Sequence, residues 1–137
     1  MGIWMLLALV SANHAVVAQQ VTLTVVVKGV KDAQGKVSVA LYSTEKDFMK
    51  SRLAGKTTLA KEGDVQVVFE NIPQGSYAVS VMHDENQNDK LDSNMMGIPK
   101  EGYGFSNDAV GTFGPPSFEK AKFQLVGSQK IVVTMRY

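Results

Sequence analysis

A chain of 137 residues, 45% hydrophobic and 20% charged with a formal net charge of +1, is one globular domain's worth of sequence. The near-balance of charge offers no basic excess to a nucleic-acid backbone and no acidic excess of a solvating tail, so no nucleic-acid partner is expected. There is no cysteine, so neither a disulfide nor thiol chemistry is open to the protein.

Taken in order, residues 1–18 carry no charged side chain. Ile3 to Val10 is an apolar run of signal-peptide length, too short to span a bilayer comfortably. Val16 and Ala18 are the small residues a signal peptidase needs just before Gln19. We therefore expect a signal peptide over 1–18, cleaved after Ala18 (Ala15 is the second choice). The mature domain, 19–137, is then periplasmic or secreted and has no transmembrane segment. The segment lacks a Lys or Arg, and its alternative is a buried first strand or an uncleaved anchor.

Val21, Leu23, Val25 and Val27 alternate with Thr22, Thr24, Val26 and Lys28, the period of a strand with one apolar face. Asp32 to Gly35 reads as a turn, with Gly35 free to take positive φ. Val37, Val39 and Leu41 form a second strand, so residues 21–43 predict an antiparallel hairpin. Ser43 to Met49 predicts a short helix with Thr44 as N-cap and Phe48 folded back on the core. A weak edge strand near Thr57–Lys61 is followed by a clear one at Val65, Val67 and Phe69. Asn71 to Gly75 is a turn, with Pro73 presetting φ and Gly75 in the left-handed position. Tyr77, Val79 and Val81 alternate again, and the chain then enters a long segment from His83 to Phe118. Two strands close it, Phe118 to Leu125 and Ile131 to Met135, with Gly127 to Gln129 turning between them. Seven short strands at this spacing predict an all-β, seven-stranded antiparallel β-sandwich with one short helix and one long ordered loop.

Two resemblances follow from quoted residues. Phe69-Glu70-Asn71-Ile72-Pro73-Gln74-Gly75-Ser76-Tyr77-Ala78-Val79 is similar to the strand-turn-strand of transthyretin-like (prealbumin-like, Ig-like) sandwiches. Residues 21–137 resemble the bacterial domain-of-unknown-function family 2141 (DUF2141). That likeness is carried by His83-Asp84-Glu85-Asn86, Lys90-Leu91-Asp92, the run Gly97 to Asn107, and Gly114-Pro115-Pro116-Ser117-Phe118. It implies a sandwich and an exported address, and brings no activity.

The long loop is the candidate site, since loops beyond about 12–15 residues in a compact domain are usually functional or disordered and this one is rich in aromatics. Asp84, Asn86, Asn88 and Asp92, with the Lys90 carbonyl, stand in the order of the first nine places of an EF-hand calcium loop. They also resemble the calcium loops of adhesin sandwiches. Asp89 stands where Gly normally makes the sharp turn, and Met95 where the bidentate Glu belongs; Glu85, Asp89 and Glu101 are the possible replacements. The competing expectation is an Asx-rich turn satisfying its own amides.

His83 is the only histidine after cleavage, because His14 lies in the signal segment. A multi-histidine zinc site is thereby excluded within one chain. The ending Met135-Arg136-Tyr137 departs from the Tyr-Arg-Gly-Ser that the transthyretin-like purine hydrolases resemble. His83 reads as a strand-end residue bonding the loop backbone, with ligand contact as its functional alternative. Met82, Met95 and Met96 beside it raise a soft copper(I) site against ordinary packing by adaptable side chains.

Tyr103, Phe105, Asn107 and Phe113 supply aromatic faces and an amide suited to a sugar, a peptide or another small ligand. The alternative for them is an Ω-like loop packing its own rings. No nucleophile elbow, phosphate loop or HExxH helix is present, and no catalytic residue is assigned. The expectation is an exported binding or accessory module, with calcium as its one candidate cofactor and an envelope component, glycan or small molecule as partner. A small hydrolase using loop carboxylates with His83 is one alternative, and a structural envelope or adhesion module is the other.

Overall fold

Alternation becomes strand wherever the sequence shows it, in a computed structural model that describes residues 2, 19–93, 95, 96 and 99–137. The expected signal segment lies outside the described residues apart from Gly2. The first five strands are β1 (Gln20–Val30), β2 (Lys36–Tyr42), β3 (Ala54–Leu59), β4 (Gly63–Pro73) and β5 (Gly75–Asp84). The predicted inward residues are the buried ones, among them Leu23, Val25, Val39, Leu41, Phe69 and Val79. After the long loop come β6 (Tyr103–Phe105), a 3-10 turn at Ser106–Asp108, helix α1 (Phe118–Ala121), β7 (Phe123–Leu125) and β8 (Gln129–Thr134).

The strands form two sheets, ordered β4-β1-β8 and β3-β2-β5-β6, with β7 paired to the start of β5. Residues from both sheets join in one apolar cluster that includes Leu23, Val27, Val37, Phe69, Val81 and Val133. β1 runs antiparallel to β4 and parallel to β8.

Four expectations need correction. Among the described residues the strands number eight, not seven, and the β1–β8 pair makes the fold not wholly antiparallel. The extra strand is β6, inside the presumed loop, where Tyr-Gly-Phe is too short to display alternation. Second, β1 and β2 are not a hairpin, because they lie in different sheets and meet across the core. Period two tells which face is buried, not which neighbour is paired.

Third, residues 43–49 make hydrogen-bonded turns rather than a helix. Thr44 Oγ1 does accept the Asp47 N–H at 3.1 Å, as its cap role requires, but Met49 at φ 60° stops propagation. Phe48 still folds inward, edge-on to Tyr42 with centroids 5.3 Å apart and near Phe105 and Phe118. The short helix is instead α1, where a strand was expected. Its Ser117 N-cap accepts the Lys120 N–H at 3.2 Å. Fourth, in the Asn71–Gly75 segment the positive φ falls on Asn71 (56°), inside β4 at its register shift with β1, and not on Gly75.

Gly35 behaves as expected, at φ 70°, and an added Cβ would collide with the backbone carbonyls of Asp84 and Glu85. Gly35→Ala is therefore expected to destabilise the protein by more than about 1 kcal/mol. Chemical denaturation should show a lowered midpoint at unchanged slope.

Candidate functional site

β5 carries its last two side chains, His83 and Asp84, into full burial. A buried polar ring must find partners, and His83 has one at each nitrogen. Nε2 lies 2.6 Å from the Gln34 carbonyl oxygen and Nδ1 lies 2.7 Å from the Tyr137 hydroxyl. A carbonyl only accepts, so Nε2 carries the proton. The Tyr137 hydroxyl accepts the Lys31 backbone N–H at 2.9 Å and is left to donate to Nδ1. Asp32 and Glu85 carboxylate oxygens stand at 3.7 and 4.0 Å from the ring nitrogens, beyond hydrogen-bond reach. The Tyr137 ring sits where a Cβ on Gly102 would be. Burial of that ring, opposed by the Lys31 N–H bond, pushes its hydroxyl pKa up.

Asp84 opens the acidic loop. Its Oδ1 accepts the Asn88 N–H at 3.1 Å and its Oδ2 accepts the Asp89 N–H at 2.7 Å. Asn86 Oδ1 accepts from Asn88 N at 3.3 Å and Asn88 Oδ1 from Lys90 N at 3.0 Å. These are Asx turns in series. Gln87 and Asp89 take positive φ, 55° and 62°, so Asp89 makes the sharp turn without glycine.

The side-chain amides of Asn86 and Asn88 donate to the two oxygens of Asp92 at 2.5 and 2.9 Å. They, first Asn88 and then Asn86, together with the charge of Lys100, hold the Asp92 carboxyl below the usual carboxylate range. Buried Glu101 closes the loop by accepting the Glu85 N–H at 2.7 Å and the Asp92 N–H at 2.9 Å. Lys36 reaches across from β2 to the Asp89 carboxylate and lies 3.9 Å from Asp84 Oδ2; the Asp89 hydrogen bond raises its pKa.

Of the calcium pattern, the Asn86, Asn88 and Asp92 side chains meet, with amide nitrogen turned to Asp92, while buried Asp84 gives both its oxygens to the Asn88 and Asp89 backbone amides. A cation there needs both asparagines to present oxygen instead. Among the described residues no group of three or more His, Asp or Glu side chains gathers to hold a metal. For the copper pattern, both His83 nitrogens are engaged, Met82 is next to His83 on a strand and so points to the opposite face, and Met95 and Met96 are largely exposed.

Beside the loop lies a groove of about 550 Å³. Leu91, Ser93, Met96 and Pro99 wall one side and Gly111 to Pro115 the other, with Tyr103 and Phe105 between. It shares Met49, Leu91, Tyr103 and Phe105 with a second space of about 390 Å³ over the outer face of β2 and β5. The sheet register explains that space. Gly55, Ala40, Ser80 and Phe105 are successive partners across β3, β2, β5 and β6, so three small residues form a trough that ends at a phenylalanine. Lys50 and Arg52 stand at this part of the groove.

Of the expected ligand residues, Tyr103 and Phe105 line the groove and Phe113, fully exposed, stands on its rim. Asn107 is committed elsewhere: at φ 60° its amide donates to the Lys120 and Lys122 carbonyls at 3.1 and 2.8 Å, tying the 3-10 turn to α1. His83 is buried beneath the acidic loop. The trough residues, Lys50, Arg52, Tyr137 and the bracing role of Lys36 were not anticipated. Gly55 and Ala40 at outward positions of neighbouring strands were the available signal.

These features define an all-β, two-sheet domain with an open, ligand-sized groove bounded by a hydrogen-bonded acidic loop. The chain belongs to the family described as "Uncharacterized protein conserved in bacteria (DUF2141)", whose model matches residues 25–133. No curated protein and no solved structure matches it significantly. Among the described residues no helix is long and apolar enough to cross a membrane.

Two outcomes follow. Tyr137→Phe leaves the buried Nδ1 of His83 without its donor and is expected to cost about 1–3 kcal/mol in chemical denaturation. Asp92, its pKa depressed on folding, contributes stability that is present above its unfolded value of about 3.9 and lost as pH falls through the lower folded value. The side-chain amide resonances of Asn86 and Asn88 should titrate with a midpoint below about 3.9.

Proposed function

We propose that this protein is an exported, periplasmic or envelope-associated sandwich of the transthyretin-like kind that works as a non-catalytic binding module, with its ligand in the groove beside the acidic loop. The observation that carries this reading is the groove itself, continuous from the small-residue trough to Phe113 and walled by two loops. A loop that merely capped the domain would bury all its rings; Phe105 is buried, but Tyr103 is partly open and Phe113 fully exposed. The hydrolase alternative needs a solvent-open His83 within hydrogen-bond reach of a carboxylate, and the ring is buried with both nitrogens satisfied.

The acidic loop leads into one wall of the groove through Leu91 and Ser93, and calcium is the second part of the proposal. The EF-hand order of Asp84, Asn86, Asn88 and Asp92, the meeting of the last three side chains, and Asp89 making the sharp turn at φ 62° favour it. Binding to the native state alone stabilises by RT ln(1 + [L]/Kd), about 2.7 kcal/mol at a hundredfold excess. Thermal unfolding in millimolar calcium against EDTA should then shift upward by several degrees, and not in Asp92→Ala. An unchanged midpoint would leave the loop as an Asx-turn structure only. For the groove, NMR shifts induced by a panel of apolar molecules, sugars and short peptides should concentrate at Tyr103, Phe105 and Phe113 and weaken in Phe113→Ala. Shifts scattered over both sheets would sink the binding reading.

A further inference from the structure

The two lobes of the groove differ in charge, which bears on what occupies it if, as proposed above, it binds a ligand. Lys50 and Arg52 stand at the trough lobe, and no acidic residue lines it. Among the described residues, none that lines the lobe between the loops is charged. Among the described residues neither Lys50 nor Arg52 makes an ion pair, while Lys31, Lys36 and Lys122 do. The Arg52 guanidinium lies against the backbone of β3: a Cβ at Gly55 would sit 2.9 Å from its central carbon. Glycine there lets the guanidinium reach the head of the trough.

We propose that the groove takes a single-chain anionic amphiphile, a free long-chain fatty carboxylate. Its head group pairs with Arg52 and Lys50, and its chain follows the trough past Tyr103 to Phe113. The planar fork of a guanidinium matches a carboxylate in two parallel hydrogen bonds. Exposed pairs of this kind are weak, but a chain lying in the trough shields this one from water. The rest of the lining is mainly thioether, ring, proline and small aliphatic surface, with the hydroxyls of Ser38, Ser80, Ser93 and Thr112 set among it. Among the described residues no carboxylate or side-chain amide lines the groove to grip a sugar in two places, and Asn107, the amide expected to serve a glycan, is occupied by backbone carbonyls. A volume of a few hundred Å³ is that of a small-molecule site. A bilayer surface would meet only projecting side chains such as Phe113 and Met95, leaving the trough and its cations unused.

The test is isothermal titration of the full chain with dodecanoate, beside a neutral dodecyl maltoside and a cationic dodecyl trimethylammonium, each below its micelle concentration. Dodecanoate is expected to bind most tightly. Arg52→Glu should weaken it by about tenfold while leaving the maltoside unchanged. Ser80→Leu or Ala40→Leu, each filling the trough, should weaken all three, with circular dichroism confirming the fold. Arg52→Glu lies on an exposed loop, so the charge arm stands even if a trough variant fails to fold. Equal affinity for all three chains, abolished by the trough variants, would overturn the carboxylate and leave the groove reading intact. Absence of binding by every chain would overturn the amphiphile, and only loss of the NMR localisation described above would overturn the groove as well. Co-sedimentation with phosphatidylglycerol vesicles that dodecanoate does not compete away would also overturn it, in favour of a membrane surface.

Discussion

A carboxylate with no exposed surface governs the shape of the functional end of this molecule. Asp84 closes β5 inside the protein, and water cannot satisfy its two oxygens. An unmatched buried charge is far more costly than a turn, so the chain that follows must bend back to offer amides, and Asn88 and Asp89 do so. Lys36 supplies the nearby positive charge from the adjacent strand. Gly35 lets the first crossover approach the same point without collision. The next residues repeat the device with weaker acceptors, Asn86 and Asn88, until Asp92 and Glu101 tie the far side of the loop to the near one.

The groove is a by-product of that bracing. With Asp92 fixed, Leu91 and Ser93 become a wall, and the chain returns through Glu101 and Gly102 to enter β6 beside β5. The order of burial also separates two roles that lie next to each other in sequence. His83, inward on β5, is sealed by Gln34 and Tyr137 and holds the sheet end together. Met82 and Ser80, outward on the same strand, face the trough. The sealed imidazole and the open surface of the trough are thus on opposite sides of one strand.

How much of this was legible follows from how local each cause is. Alternation in β1, β2, β4 and β5 named the core correctly because it is a property of one strand. Pairing is not, so a hairpin was read where β1 and β2 in fact face each other from different sheets. The Asp84–Asp92 cluster was visible because Asx turns act over two to five residues. Glu101 was recognised as a possible ligand, but its bond to the Glu85 amide needed the loop's closure. The trough was invisible, because Gly55, Ala40 and Ser80 come together only through the register of three strands. The 43–49 segment carried a sound cap at Thr44 and still failed as a helix, since one capped turn without a following apolar face does not propagate.

The parallel pairing of β1 with β8 bears on time rather than shape. Thr22 and Ser128, hydrogen-bonded neighbours in the folded protein, are 106 positions apart. The smaller sheet therefore cannot gain its third strand until Gln129–Thr134 has been made, and contacts of such separation form slowly. Val133, fully buried, is missing from the core until then. A nascent chain of this design holds an incomplete core until β8 emerges. For the exported protein proposed here, such a delay would favour a chain still open enough to be threaded across a membrane.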